Sequence, residues 1–227
     1  MNADHLAAAI AEVRKDFAVE SAQSAADRDD VFRLRYQIYC VERNFEPGRD
    51  GREMDEFDEI ARHAIIRRRS DGTAVGTVRV IPPACHIPGR RFPLEQAGRF
   101  PQLQNLPLAR TAEISRFALS RAVTEGDRPA VLRLCLIRAV FMLSGELGLT
   151  HWCALMDPAL LRLLRFSSIH FHPMGALVEY HGLRQPSWGD IAEVLERVHR
   201  ERPVIWDFIS EHGTLWTKPE ERQWAVA

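Results

Sequence analysis

Lysine is almost absent from this chain. Of its 30 Lys and Arg residues only Lys15 and Lys218 are lysine, so the other basic positions are all arginine. Two readings share that bias: a GC-rich coding sequence, and a protein that uses the guanidinium fork to hold carboxylates or phosphates. Composition leaves both open. A dominant charge of one sign is lacking too. A formal charge of -1 excludes the basic excess of a nucleic-acid binder and the acidic tail of a solvating segment. No apolar run approaches the ~20 residues needed to span a bilayer. The opening stretch, MNADHLAAAIAEVRKDF, carries Asp4 and Glu12 and lacks the long apolar core of a signal peptide. Cys40, Cys85, Cys135 and Cys153 form no CxxC pair and no zinc-like spacing, which predicts free, mostly buried thiols in a reducing compartment. These absences predict a soluble cytoplasmic protein with no membrane span, no metal and no nucleic-acid partner.

At 227 residues the chain suits one domain, 1–227, with a helical N-terminal segment over 1–50 and a C-terminal tail, 203–227, packed on it. Residues 5–17 read as a short amphipathic helix. A second helix, VFRLRYQIYCVE, follows Asp29 and Asp30 as candidate caps. RNFEPGRDGRE, 43–53, is a turn-rich loop. RHAIIRRRSDGTAVGTVRVIPP predicts a hairpin, with strands at about 62–69 and 74–81 joined through Ser-Asp-Gly. Residues 84–110 hold Pro88, Pro93, Pro101 and Pro107 and form an irregular excursion long enough to suggest function. TAEISRFALS, 111–120, is the next strand. The longest helix covers 129–148, ending at Gly148. HWCALM is a buried strand, PALLRLLRFS a helix opened by Pro158, and IHFHPMGALVEYHGLR two further strands around Met174-Gly175. A surface helix starts after Asp190. This order predicts an α/β (α+β) three-layer sandwich whose mixed, mostly antiparallel central sheet is flanked by helices, and it resembles the GNAT acyltransferases.

Charges in apolar runs carry the chemistry. Strict alternation on 112–119 puts Glu113 and Arg116 on opposite faces, whereas a bulge between them would bring both to one side and leave a backbone N–H free to stabilise an oxyanion. The alternative is a structural Glu–Arg pair at a strand end. Asp55 and Asp58, one turn apart around Phe57, could bind an ammonium group, hold a metal, or anchor arginines. Arg35, in an apolar helix, and Arg79, in GTVRVI, are the arginines that need such partners. His170 and His172 alternate in a strand and, with His63 and His181, are further titratable candidates.

The segments FRLRYQIY, MDEFD, GTVRV and EISRF, in that order, resemble the signature of the acyl-homoserine-lactone (autoinducer) synthases. LRYQIYCVE, EMDEFDE, LLRLLRFSSIHFHPMGALVEYHGLRQP and RPVIWDFI are similar to the related N-acyl amino acid synthases, and closest to the acyltransferases of PEP-CTERM/exosortase systems. The resemblance implies transfer of a fatty acyl chain from an acyl carrier protein thioester to the amine of an amino acid or similar small acceptor. It implies no cofactor beyond the phosphopantetheine thioester itself. Glu113 would be the base acting through a water, Arg116 would hold it ionised or engage the acceptor carboxylate, and the bulge N–H near Phe117 or Ala118 would polarise the thioester carbonyl. Arg35, Asp55, Asp58 and Arg79 would form the supporting cluster. A coenzyme A enzyme of the GNAT type would need a glycine-rich turn before the long helix, and SRAVTEGDRPAVLR offers only Gly126 with Asp127. Exposed Arg121, Arg128, Arg133, Arg162 or Arg165 could dock an acidic carrier protein, or could be solvated helix charges. The alternatives are an S-adenosylmethionine-using autoinducer synthase and a non-catalytic acyl- or carrier-binding module.

Overall fold

Alternation of side chains along two central strands sets up the layers. The computed structural model describes residues 2–45, 48–83, 89–121 and 128–218. Strand β2 (Arg62–Arg68) and strand β3 (Ala74–Ile81) form the expected hairpin. Ala64, Ile66, Val78 and Val80 point into the main core, against helix α3 (Arg128–Glu146). Their neighbours Ile65, Thr77 and Arg79 face the other way, the side covered by helix α2 (Ala25–Arg35). Helices α1 (Ala3–Asp16), α5 (Ile191–Glu201) and α6 (Pro203–Ser210) thicken the first layer, contributing Leu6, Ile10, Val194, Val198, Phe208 and Ile209 to the same core.

The sheet runs β1 (Phe17–Ser21), β2, β3, β4 (Thr111–Leu119), β5 (His151–Met156), β8 (Leu183–Asp190) and β6 (His172–Pro173), with β7 (Val178–Glu179) pairing β8. Every pair is antiparallel except β4–β5. The mixed, mostly antiparallel sandwich is therefore as the element order predicts. Three local readings are corrected. The second helix starts at Ala25, capped by Ser24 in a capping box with Asp27, while Asp29 and Asp30 pair with Arg33, Arg52 and Arg67 instead. It also does not end as an α-helix: Tyr36–Glu42 continue as a π-helical stretch. Residues 17–21 form an edge strand directly after α1, where only the helix was expected. In the tail, α6 packs on α3, and Trp216 is buried with its Nε1–H donated to the Leu149 carbonyl at 2.7 Å.

The parallel pair determines the site. Its register runs Thr111–His151, Ala112–Trp152, Glu113–Cys153 and stops, although both strands continue. Beyond Glu113 the strands have splayed apart, and a slot opens through the sheet. Helix α4 (Pro158–Phe166) closes one end of it with Leu160 and Leu164.

Candidate functional site

A bulge in β4 assembles the charged residues. The β3–β4 register passes from Arg79–Ser115 to Thr77–Ala118, so Arg116 and Phe117 together oppose Val78. Arg116 takes φ +50, a left-handed conformation that costs an L-residue roughly 1–2 kcal/mol. The bulge reverses the alternation: Ile114, Phe117 and Leu119 pack toward α3, while Ala118 packs on Leu34 and Ile38 of the α2 layer. Arg116 thereby joins Glu113 and Ser115 on the α2 side.

Three arginines and three carboxylates interlock there. The Arg35 guanidinium, fully buried, forks onto Asp58 at 2.7 and 3.0 Å and donates through Nε to Glu53. Arg79, also fully buried, donates to Asp55 at 2.7 Å, Asp58 at 2.8 Å and the Ser115 hydroxyl at 3.0 Å. Arg116 donates to both oxygens of Glu53, the shortest at 2.7 Å, and reaches Asp55 at 3.5 Å. The Tyr39 ring lies 5.4 Å from the Arg116 guanidinium carbon. Asp55 and Asp58 are fixed by capping the short helical turn Glu56–Glu59: Phe57 N–H donates to Asp55, and Asp55 N–H to Asp58. The three charges of each sign balance. Burial opposes ionisation of Glu53, but the Arg116 hydrogen bonds and the Arg35 charge outweigh it and bring the carboxyl down to about 2. Asp58 is likewise held far below the usual carboxylate range, the charges of Arg35 and Arg79 overcoming its burial.

Glu113 stands outside this balance. Its side chain is buried, and its Oε2 accepts the Leu94 N–H at 2.8 Å. Leu94 is delivered by the proline-rich excursion, whose Phe92, Leu94, Phe100, Leu103 and Leu106 form a satellite core over Cys153. Burial pushes the Glu113 carboxyl up to about 8, against the Leu94 hydrogen bond and the charges of Arg79 and Arg116. The expectation that Arg116 holds Glu113 ionised is corrected accordingly, since Arg116 spends its fork on Glu53 and desolvation dominates at Glu113.

The slot holds a cavity of about 1160 Å³ including its mouth. Glu113, Ser115 and Arg116 stand on its polar side. Ile137 and Val140 of α3, Trp152, Met156 and Phe171 line the apolar depth on the core side. Phe117 lines this cavity, while Ala118 packs beneath α2.

One residue of the cluster escaped the sequence reading. Glu53 sits in the segment read as a turn-rich loop, and only its place two residues before Asp55 hints at a role. His63, opposite Arg79 in the β2–β3 register, is buried with neither ring nitrogen hydrogen-bonded among the described residues; burial pushes it down to about 4, so the ring is neutral. His170 lies outside any strand, and His172 sits against Glu193 at 3.1 Å and stacks on Trp188. Tyr180 and His181 border the cavity mouth. Among the basic candidates Arg128 pairs with Asp16, Arg133 is half-buried, Arg121 lies 3.7 Å from Glu42, and Arg162 and Arg165 are exposed on α4. No metal-ligating cluster forms among the described residues, and none of their helices is long and apolar enough to cross a membrane. Cys85 and residues 122–127 lie outside the described residues.

Residues 34–133 match the Acetyltransferase (GNAT) domain, from the end of α2 through the hairpin and the bulged strand into the start of α3. The fold is that of the GNAT acyltransferases. No curated protein sequence matches the chain. Among solved structures, TofI in a ternary complex with an inhibitor and MTA superposes with a TM-score of 0.61 at 20% identity, over 83% of this chain and 99% of that one. FeeM, an N-acyl amino acid synthase from uncultured soil microbes, gives 0.59 at 17% identity, over 80% and 93%. BjaI, a CoA-dependent acyl-homoserine lactone synthase with SAM and isopentyl-CoA, gives 0.59 at 24% identity, over 82% and 88%. At these identities the likeness is one of fold.

Proposed function

We propose that the protein is a cytoplasmic N-acyltransferase that moves a fatty acyl chain from an acyl carrier protein thioester to the amine of an amino acid or similar small acceptor. The observation that carries this reading is Glu113, a carboxyl raised to about 8 at the junction between a charged cluster and a deep apolar cavity. A base of that strength is matched to an ammonium group at neutral pH. Glu113 in its ionised form, through a water, takes a proton from the acceptor; the freed nitrogen attacks the thioester carbonyl, the C–N bond forms and the C–S bond breaks. The second nitrogen proton leaves with the thiol. Beyond Glu113 the slot side of β4 has no strand partner, so the N–H near Phe117 or Ala118 is the donor for the carbonyl oxygen. Arg35, Asp58 and Arg79 fix the cluster, and Asp55, the most exposed of its carboxylates, meets the acceptor. The acyl chain lies among Ile137, Val140 and Trp152. The carrier-protein donor rests on the single glycine in residues 120–133, and the resemblance to PEP-CTERM/exosortase acyltransferases is consistent with it.

Likeness to BjaI, an acyl-homoserine lactone synthase with SAM, favours one second reading, an autoinducer synthase using S-adenosylmethionine. Mass spectrometry of lipid extracts from cells overexpressing the protein or Glu113→Gln decides between them. N-acylated amino acids formed only with intact Glu113 are expected. Acyl-homoserine lactones with methylthioadenosine release would favour the second reading. Purified protein that binds acyl carrier thioesters without turnover would be a binding module, and would refute both.

A further inference from the structure

The charged residues lining the cavity can be paired off one by one. Arg116 is committed to Glu53. Arg184 lies 3.4 Å from Asp157 and donates to the carbonyls of Leu183 and His181. Glu113 is buried and accepts the Leu94 N–H. What remains is Arg43, which lines the mouth and has no carboxylate partner among the described residues. Its guanidinium nevertheless has a defined place. It lies 5.9 Å from the centroid of Tyr39 and 5.9 Å from that of Phe45, and Phe45 in turn stacks on His181 at 5.7 Å. Tyr39 is shared: the same ring packs against Arg116 at 5.4 Å. Arg43 is thus a cation steered by two aromatic faces, one ring away from the cluster that adjoins Glu113.

We infer that Arg43 anchors the carboxylate of the acceptor, so that the site selects amino acids over simple amines. This rests on the acyl-transfer reading above and specifies what that reading leaves open. A zwitterionic amino acid fits both features at once, its carboxylate meeting the one unbalanced cation of the lining and its ammonium meeting the base. An amine without a carboxylate would leave Arg43 unanswered. Arg43 is exposed and makes no ion pair among the described residues, so its replacement leaves the fold intact.

The test compares wild type, Arg43→Gln and Arg43→Lys in steady-state acylation with acyl carrier thioester as donor. The acceptors are the amine found in the lipid extracts and its carboxamide. Losing a charge-assisted hydrogen bond should raise KM for the acid about 10-fold or more, with kcat and the donor KM unchanged. Lysine should recover part of the loss, and the carboxamide should be used equally by all three proteins. An unchanged KM, an acceptor lacking a carboxylate, or a rise confined to the donor KM overturns the inference; the last would assign Arg43 to the donor's phosphate. If wild type transfers no acyl chain, the reaction reading fails on its own. Calorimetric titration with the twenty amino acids then decides for Arg43: binding lost in Arg43→Gln supports the anchor, and no binding refutes it.

Discussion

Replacing Glu53 by alanine should lower the melting temperature sharply. The carboxylate accepts one hydrogen bond from Arg35 and three from Arg116, and its side chain is 4% exposed. Alanine leaves two guanidinium groups facing one another, with Asp58 holding one and Asp55 at 3.5 Å from the other. Breaking a buried ion pair by removing one partner costs about 3–5 kcal/mol. Titration gives an independent figure: a carboxyl lowered from 4.5 to about 2 favours its charged form by about 3 kcal/mol. A domain of this size loses about 2–4 °C per kcal/mol, so Glu53→Ala should melt about 6–20 °C below wild type at pH 7. Circular dichroism melts at pH 7, 4 and 3 measure it. The native carboxyl titrates below the unfolded one, so its contribution is complete above pH 4.5 and is lost as pH falls toward 2. The gap between variant and wild type should therefore narrow over that window. A melting temperature within about 2 °C of wild type at pH 7, or a gap indifferent to pH, would refute the account of the cluster.

Two further outcomes follow from groups whose titration moves the other way. Native Glu113 keeps its proton between pH 4.5 and about 8 while the unfolded chain has lost it, so wild-type stability falls with rising pH across that range. Glu113→Gln escapes this, and urea melts should show its stability relative to wild type growing from pH 5 to pH 8; the opposite trend would refute a buried, protonated carboxyl. Burial pushes the Cys135 thiol up to about 12 and Cys153 well above its usual range. Iodoacetamide at pH 8 should leave both unmodified in the native protein and alkylate them in guanidinium chloride, as peptide mass spectrometry would show; native alkylation at either would contradict their placement.

The hairpin, the long helix and the Pro158-opened helix were legible because each combines one clear period with turn or cap residues at its ends. Residues 17–21 were not, because FAVES follows α1 with no glycine or proline between them and is a strand only by pairing with β2. The Ser24–Asp27 capping box was present in the letters, but Asp29 and Asp30 stand nearer the apolar run and drew the boundary there. At the site, Arg35, Arg79, Asp55, Asp58, Glu113 and Arg116 were visible as charges inside apolar segments, and the structure brings them to one face. Glu53 could not be found that way: it stands in no apolar run, with Asp50, Gly51 and Arg52 before it and Met54 alone between it and Asp55, and it is buried only because the loop folds over Arg35 and Arg116. The partner of Arg116 was misjudged for the same reason. Sequence adjacency suggested Glu113, whereas the left-handed backbone at Arg116 directs the guanidinium across to the loop.

On the acyl-transfer reading, the shortage of lysine has a consequence. Every cationic side chain lining the cavity is an arginine or a histidine, and Lys218, the one lysine with an ion pair among the described residues, pairs with Glu196 instead. A lysine amine beside an activated acyl group is a nucleophile in waiting, needing only to lose its proton. A guanidinium stays protonated through the whole working range and offers no lone pair to a carbonyl. On that reading, building the binding surface from arginine rather than lysine supplies positive charge without supplying a rival amine.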